Sequence, residues 1–463
     1  MRKIVLRADR KHSALEDAAI ILDQGKQQTS FILLLSVLYL FRDLGGVNIP
    51  DIVFSGLCAV AFILMDMGTC LGVYMFTTAL TVPHNEITIV YLGILLGKIL
   101  VSGKMQINGR MLLMNLGLML LQLLDTTIFS TSAFVNVIYD YVTRMLIIIV
   151  PIFWFNDEYT AEDFRGALMC YVAGVVLGGT VTLILTAELI TWEALLKGTE
   201  GLRLGKTYNT DEGMQTNYNA NQLSIMCAVS ASIILQAMDK KKMSKIWGIL
   251  LLGYLLFLVV LTRSRTGILM MAMIIVIYYF ILVVRRKKLF TGILLLSVIG
   301  TIVFAIITFF PDVVQGVVDR FMGQEDITNG RTDLFKIYLA EWSKEPWGIF
   351  FGYGSGTFAN VIEDAWNYPH NALTDILICG GITGLILISG ILSACYCKGT
   401  KEIKRKEQVF TLLPAIVAIV ASMASQYLSM GYPHVRLCFL LLAAKAWENS
   451  DTKQKALGEE NEK

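Results

Sequence analysis

Residues 245–288 read KIWGILLLGYLLFLVVLT, RSR, TGILMMAMIIVIYYFILVV and RRKK in four successive blocks. The two long blocks are almost wholly apolar, and each approaches the roughly 20 helical residues that a bilayer core requires. A three-residue polar turn joins them, and basic residues stand at both outer ends of the pair. The stretch therefore predicts a helical hairpin that crosses a membrane twice and returns to its starting side.

The same pattern extends over the whole chain, which has 463 residues, 55% of them hydrophobic and only 16% charged. These proportions predict an all-α, polytopic membrane protein with about 12–14 transmembrane helices. The count depends on residues 51–83, where the turn at 66–69 is very tight and one pair of spans could be re-entrant. The apolar runs lie near 29–46, 51–66, 69–83, 87–102, 111–124, 134–155, 164–187, 222–238, 246–262, 266–284, 289–310, 371–397, 409–428 and 434–447.

Basic clusters in alternate loops orient the chain, because positively charged loops stay in the cytoplasm. The clusters are Lys240, Lys241, Lys242 and Lys245, then Arg285, Arg286, Lys287 and Lys288, then Lys398, Lys401, Lys404, Arg405 and Lys406. This alternation predicts a cytoplasmic N-terminal segment at 1–28, a transmembrane domain at 29–447 and a disordered cytoplasmic tail at 448–463. Loops 188–221, 311–369 and 429–433 and the turn at 263–265 then face outward.

Composition also excludes several classes of partner and site. The formal net charge is only +2, and the basic residues lie between apolar runs, so we expect the lipid bilayer as a partner and no nucleic acid. The eight cysteines are scattered, mostly singly inside apolar runs, which predicts neither disulfides nor a metal site. The one long extracytoplasmic loop, 311–369, has apolar residues at helical spacing in two places, which predicts two short amphipathic helices.

Three outer elements carry residue types suited to one reaction. Ser264 and Arg265 stand at the start of a predicted span. Asn329-Gly330-Arg331 begins the second amphipathic helix, and His370-Asn371 begins the next span. An arginine fork binds phosphate oxygens bidentately, so two arginines can hold a diphosphate. A histidine that titrates near neutrality can take a proton from a hydroxyl. The set suits transfer of a group whose leaving part is a diphosphate.

Each element also has a purely structural interpretation. Arg265 could extend to lipid headgroups, Arg331 could be a surface charge at a helix start, and His370 could cap a helix at the interface. Gly381 and Gly384, which follow His370-Asn371, could simply permit close helix packing. The dipeptide His84-Asn85 is an internal control, because Leu95 stands there at the position that Gly381 occupies after His370.

The motifs together resemble the O-antigen ligase and O-antigen polymerase superfamily over roughly residues 200–400. The resemblance rests on the motifs Ser264-Arg265-Thr266-Gly267, Gly330-Arg331, PWGIFFGYGSGTF at 346–358, and His370-Asn371 followed by Gly381 and Gly384. It implies a C-type glycosyltransferase-like fold in the bacterial plasma membrane, acting on its outer face without metal or cofactor. The implied donor is a polyprenyl-diphosphate-linked glycan, and the implied acceptor is a glycan or a lipid-linked molecule.

The resemblance also implies roles for single residues. His370 corresponds to the histidine that activates the acceptor hydroxyl, and Arg265 and Arg331 correspond to the residues that hold the donor diphosphate. Ser264 and Asn371 belong to the substrate-binding motifs, while Gly381 and Gly384 form the structural motif. The segments 203–205 (RLG) and 219–221 (NAN) resemble a further family feature, but their spacing is long and no chemistry is assigned to them.

A transporter, such as a flippase of lipid-linked oligosaccharides, is the alternative from another class. Transporters tend to show repeat symmetry and broken or ionisable positions near the midplane. This chain instead gathers its polar residues in outer loops, which favours an enzyme. The sequence leaves open whether a ligase or a polymerase is present, and which sugars and acceptor it uses.

Overall fold

The computed structural model describes residues 26–80, 82, 84–102, 108–129, 134–190, 192–197, 203–205, 219–285, 287–322, 331–354, 370–424 and 433–448. These residues form helices joined by turns, which confirms the all-α prediction. Several predicted features lie outside them: Asn329 and Gly330, residues 355–369, most of the 429–433 loop, nearly all of segment 1–28 and the tail beyond 448.

The first ten helices run from the start of the described chain to the hairpin at 245–288. They are α1 (26–43), α2 (Asp51–Leu64), α3 (Met67–Thr77), α4 (His84–Ser102), α5 (Gly109–Phe129), α6 (Phe134–Trp154), α7 (Ala161–Ile190), α8 (Trp192–Lys197), α9 (Ala220–Asp239) and α10 (Lys245–Thr262).

The remaining helices contain the predicted site. They are α11 (Arg265–Phe280, continued by a π turn at Ile281–Arg285), α12 (Leu289–Phe309), α13 (Pro311–Met322), α14 (Arg331–Trp342), α15 (Pro346–Phe350), α16 (Ala372–Thr400), α17 (Arg405–Thr411), α18 (Leu413–Ser422) and α19 (Pro433–Leu442, continued by a 3-10 turn at Ala443–Trp447). Helices α13 and α14 are the two helices predicted within loop 311–369.

Six helices of the described chain are long and apolar enough to cross a membrane, which confirms a polytopic membrane protein. These spans are Ala161–Glu188, Ala220–Asp239, Lys245–Thr262, Arg265–Val284, Leu289–Phe309 and Ala372–Thr400. Shorter apolar helices include α2, α3 and α18. Helices α2 and α3 are short because Asp66 stops the pair in the middle: its carboxylate accepts the Thr69 amide at 3.0 Å and so caps α3. A total of 12–14 spans stays a prediction.

Helix α9 lies at the centre of the bundle. Most of its residues are buried, including the small residues Ala228, Ser230 and Ala231. Small side chains let neighbouring helices approach closely. Membrane helices rely on such close packing, because the hydrophobic effect does not drive helices together within lipid. Helix α11 packs closely against α9 at Gly267, where a β-carbon would overlap the side chain of Ser224. This approach places the start of α11 directly against the start of α9.

Loops predicted on the same side of the membrane contact one another. On the predicted cytoplasmic side, Lys240 forms an ion pair with Glu407 at 2.7 Å, and Lys398 forms one with Asp157 at 2.6 Å. On the other side, the Leu204 amide donates to the Leu261 carbonyl at 3.1 Å. The assignment of each loop to one side of the membrane stays a prediction.

Candidate active site at three helix starts

The turn between α10 and α11 is built by local capping. Arg263 adopts the left-handed conformation, with φ of 48°, and ends α10. Ser264 then caps α11, because its hydroxyl accepts the Gly267 amide at 3.3 Å. The same hydroxyl donates to the Asn221 side-chain oxygen at 2.9 Å, and Ser264 is fully buried. Its hydroxyl thus joins two helix starts, while a substrate-binding role for Ser264 stays a prediction.

The two arginines of this turn differ in their surroundings. Arg263 is buried, and its guanidinium donates to the Leu196 carbonyl at 2.9 Å while lying against Gly316. It therefore ties the turn to α8 and α13. Arg265, the first residue of α11, is half-buried and lies close enough to Arg331 for the two charges to interact.

Arg331 is the first residue of α14 and is half-buried. Its guanidinium donates a hydrogen bond to the carbonyl of Ala424, just beyond the end of α18. Burial, followed by the nearby charge of Arg265, lowers the pKa of Arg331 from its usual value. Arginine remains charged despite such a shift. Two cationic groups are therefore held close together at this point.

His370 and Asn371 form the start of α16. The Asn371 side-chain oxygen accepts the Leu373 and Thr374 amides at 2.9 and 3.3 Å, and its NH₂ group donates to the Met423 carbonyl at 3.0 Å. His370 adopts a φ of 52°, a left-handed conformation that is uncommon outside glycine and often occurs at functional sites. Burial, then the charge of Arg331, lowers the pKa of His370 from 6.5. The imidazole is therefore neutral at pH 7.

The structure thus brings three predicted residues together, Arg265, Arg331 and His370. Each stands at the start of a helix, at α11, α14 and α16 respectively. Helix starts carry partial positive charge and free amides, so they attract anions and disfavour cations. Two arginines at such positions, close to each other and to a neutral histidine, produce a strongly positive site with one proton acceptor. This arrangement suits an anionic group such as a diphosphate.

Gly381 breaks α16 below His370. Its φ of 58° and ψ of −160° are open only to glycine, and a β-carbon there would overlap the backbone of Phe350. Residues 352–354 (GYG) occupy the space beside the break. The Tyr353 amide donates to the Ile378 carbonyl at 2.7 Å, and the Gly354 amide donates to the Cys379 carbonyl at 3.1 Å. Residues 352–354 therefore hold the half-helix 372–380 that follows His370. Gly384 lies past the break, and a β-carbon there would meet Leu121 at an ordinary van der Waals distance.

Sequence reasoning did not single out a second polar group inside the helices. Asp125 on α5 and Asp375 on α16 are buried, and Arg144 on α6 lies near Asp375. Cys379 lies within electrostatic reach of all three. The signal was available, because an ionisable residue inside an apolar run is itself a reason to expect function.

The fold and this site define a polytopic membrane protein with a cationic site at one end of its helix bundle. Residues 249–389 match the family model described as O-antigen ligase. This segment contains all three helix starts of the site, so the residues that carry the motifs lie within the part of the chain that is similar to the O-antigen ligase family. The match confirms the predicted resemblance to the O-antigen ligase and polymerase superfamily. A search of curated proteins found no match.

Proposed function

We propose that this protein transfers a glycan from a polyprenyl-diphosphate-linked donor to an acceptor hydroxyl at the outer face of the bacterial plasma membrane. The observation that carries the proposal is the meeting of Arg265, Arg331 and His370 at three helix starts. The similarity of residues 249–389 to the O-antigen ligase family supports the same class of reaction. The product is a longer or newly attached glycan of the cell envelope, and the leaving group is the polyprenyl diphosphate.

The arginines act on the bond that breaks. When the bond between the anomeric carbon and the diphosphate oxygen breaks, negative charge grows on the diphosphate. Arg265 and Arg331 stabilise that charge more in the transition state than in the bound donor, which accelerates the reaction. The hydrogen bond from Arg331 to the Ala424 carbonyl is exchanged for one to a phosphate oxygen, or retained by a second N–H of the same guanidinium.

His370 acts on the bond that forms. The acceptor hydroxyl attacks the anomeric carbon, and its proton passes to the imidazole, which then releases the proton to water. A neutral imidazole is needed for this step, and Arg331 favours that form. The left-handed backbone of His370 and the cap formed by Asn371 fix where the ring can lie. The histidine is therefore positioned before substrate binds.

Arginine substitutions in proteoliposomes test the proposal. The reaction is followed with a polyprenyl-diphosphate-linked glycan and an acceptor glycan, while donor binding is measured separately. Arg265→Ala and Arg331→Ala should weaken both donor binding and transfer. Arg331→Lys should retain part of the activity, because lysine keeps the charge but loses the bidentate fork. Movement of the donor across the bilayer without transfer would contradict the proposal and support a transporter.

A further inference from the structure

Two buried carboxylates lie near the half-helix 372–380, and their surroundings differ. Asp375 lies near Arg144 and accepts a weak hydrogen bond from the Cys379 thiol at 3.9 Å. Asp125 is fully buried, and neither oxygen of its carboxyl group has a hydrogen-bond partner among the described residues. The indole of Trp347 lies beside the carboxyl group and interacts with it, without forming a hydrogen bond of full geometry. Asp125 therefore offers acceptor oxygens that a ligand with hydrogen-bond donors can use, since a buried polar group without full partners is unfavourable.

The indole of Trp347, beside Asp125, is partly exposed and can contact a ligand. Trp347 lies on α15, at the predicted outer end of the bundle, and more than a third of its surface is exposed. Its ring packs at 4.8 Å between centroids against Phe351, which supports the indole from one side. A ligand that fits here must offer hydrogen-bond donors to a carboxylate and an apolar face to an indole. A sugar ring has both, in its hydroxyl groups and its C–H face.

We propose that Asp125 and Trp347 form a subsite for a neutral sugar residue of the glycan, and this proposal rests on the proposed function. Asp125 accepts hydrogen bonds from sugar hydroxyls, and the indole of Trp347 packs against the ring. In the structure the Trp347 indole lies over Asp125. Sugar binding therefore moves the indole away from the carboxyl group and onto the face of the sugar ring.

The subsite lies farther from His370 than the length of one sugar ring. Asp125 is within electrostatic reach of Cys379, which follows His370 by nine residues along α16. At 1.5 Å per residue this is about 13 Å, more than the length of a single sugar ring. The subsite would therefore bind a sugar at a distance from the reacting hydroxyl, and so contribute to selection of the glycan rather than to bond formation.

Ligand binding is tested without the transfer reaction. Full-length protein in nanodiscs is titrated with methyl glycosides of glucose, galactose and N-acetylglucosamine, and saturation-transfer NMR detects protons of bound sugar. Wild-type protein should saturate the ring protons of at least one of them. Asp125→Asn and Trp347→Ala should weaken binding about 10–100-fold, because the first removes an acceptor oxygen for the sugar hydroxyls and the second removes the aromatic face that packs against the ring. Exposed Asp319→Asn on α13 is the matched control and should bind as wild type.

A leucine substitution separates a ligand site from a structural carboxylate. Asp125→Leu removes a buried polar group without partners, so it should raise the unfolding temperature while abolishing sugar binding. In the transfer assay, Asp125→Asn should raise KM for the glycan and leave kcat nearly unchanged. These two readouts distinguish the subsite from the proposed reaction, because sugar binding is measured even if no transfer occurs.

Several results would overturn the subsite. One is wild-type protein that saturates none of the three sugars; another is Asp125→Asn protein that binds them as wild type does. Loss of both stability and binding in Asp125→Leu would show that the carboxylate is structural. Saturation by choline in place of the neutral sugars would show a cation site, since an indole beside a carboxylate can also hold a cation.

Discussion

The chain contains the dipeptide His-Asn twice, and the two copies begin helices in different ways. His84 is itself the first residue of α4, so Asn85 lies inside the helix, where it is exposed. His370 stands before α16, and Asn371 caps that helix. Eleven residues after each histidine, α4 has Leu95, which is buried in the core, whereas α16 has Gly381 and a break.

The comparison shows what a dipeptide needs in order to become a site. At His370 the helix start is joined to Met423 by the Asn371 amide, and residues 352–354 dock beside the break at Gly381. Arg331 supplies a charge nearby. At His84 the same two residues continue into a regular apolar helix. The surrounding contacts, more than the dipeptide, therefore define the candidate active site.

Exchange of each histidine for asparagine should show the largest difference between the two copies. Asparagine tolerates the left-handed backbone of position 370, so His370→Asn removes the base with little strain. Transfer should fall about 10²–10⁴-fold, the usual contribution of general base catalysis, while donor binding persists. His84→Asn should change the rate by no more than about twofold. Both are measured as turnover in proteoliposomes; near-wild-type turnover of His370→Asn would refute the base assignment.

The same glycine substitution in the two helices should have opposite effects on stability. Gly381→Ala forces alanine into a conformation open to glycine and into the backbone of Phe350, so stability should fall by roughly 2 kcal/mol or more. Gly97→Ala in α4 meets no atom within 4 Å and should gain up to about 1 kcal/mol.

Thermal unfolding in one detergent measures both variants. Equal stability of Gly381→Ala and wild type would mean that the break in α16 and the docking of residues 352–354 do not hold the half-helix.

The pH dependence of transfer should report the coupling between His370 and Arg331. Because the pKa of His370 is lowered from 6.5, the base form is present at neutral pH and kcat/KM should fall only as pH drops below 6.5. Arg331→Ala removes a nearby positive charge, so this acidic limb should move to higher pH. A limb that keeps its position in Arg331→Ala would show that the two groups do not interact.

Much of the fold follows from local sequence signals. The apolar runs, Ser264 before α11 and Asn371 before α16 are recognisable because caps and periodicity act within a few residues. The short pair α2 and α3 was also foreseeable, since Asp66 interrupts an apolar stretch. The packing of α9 at the centre was not, because it depends on which helices meet, and no local pattern records that.

The site divides in the same way. Arg265, Arg331 and His370 were predicted from residue type and order, and the structure places them together. Their partners were not predicted: Asn221 for Ser264, and the carbonyls of Met423 and Ala424, lie far away in sequence. Gly381 was expected to permit close packing. It also breaks the helix, and this could not be predicted because the break depends on the docking of residues 352–354, which are distant in sequence.

Transfer in the presence of excess EDTA tests the central claim most directly. If Arg265 and Arg331 hold the diphosphate, they supply the charge that a divalent ion supplies in other glycosyltransferases. Purified protein given a polyprenyl-diphosphate-linked glycan and an acceptor, without nucleotide, should then turn over at the same rate with and without EDTA. A reaction that EDTA abolishes and magnesium or manganese restores would contradict the account.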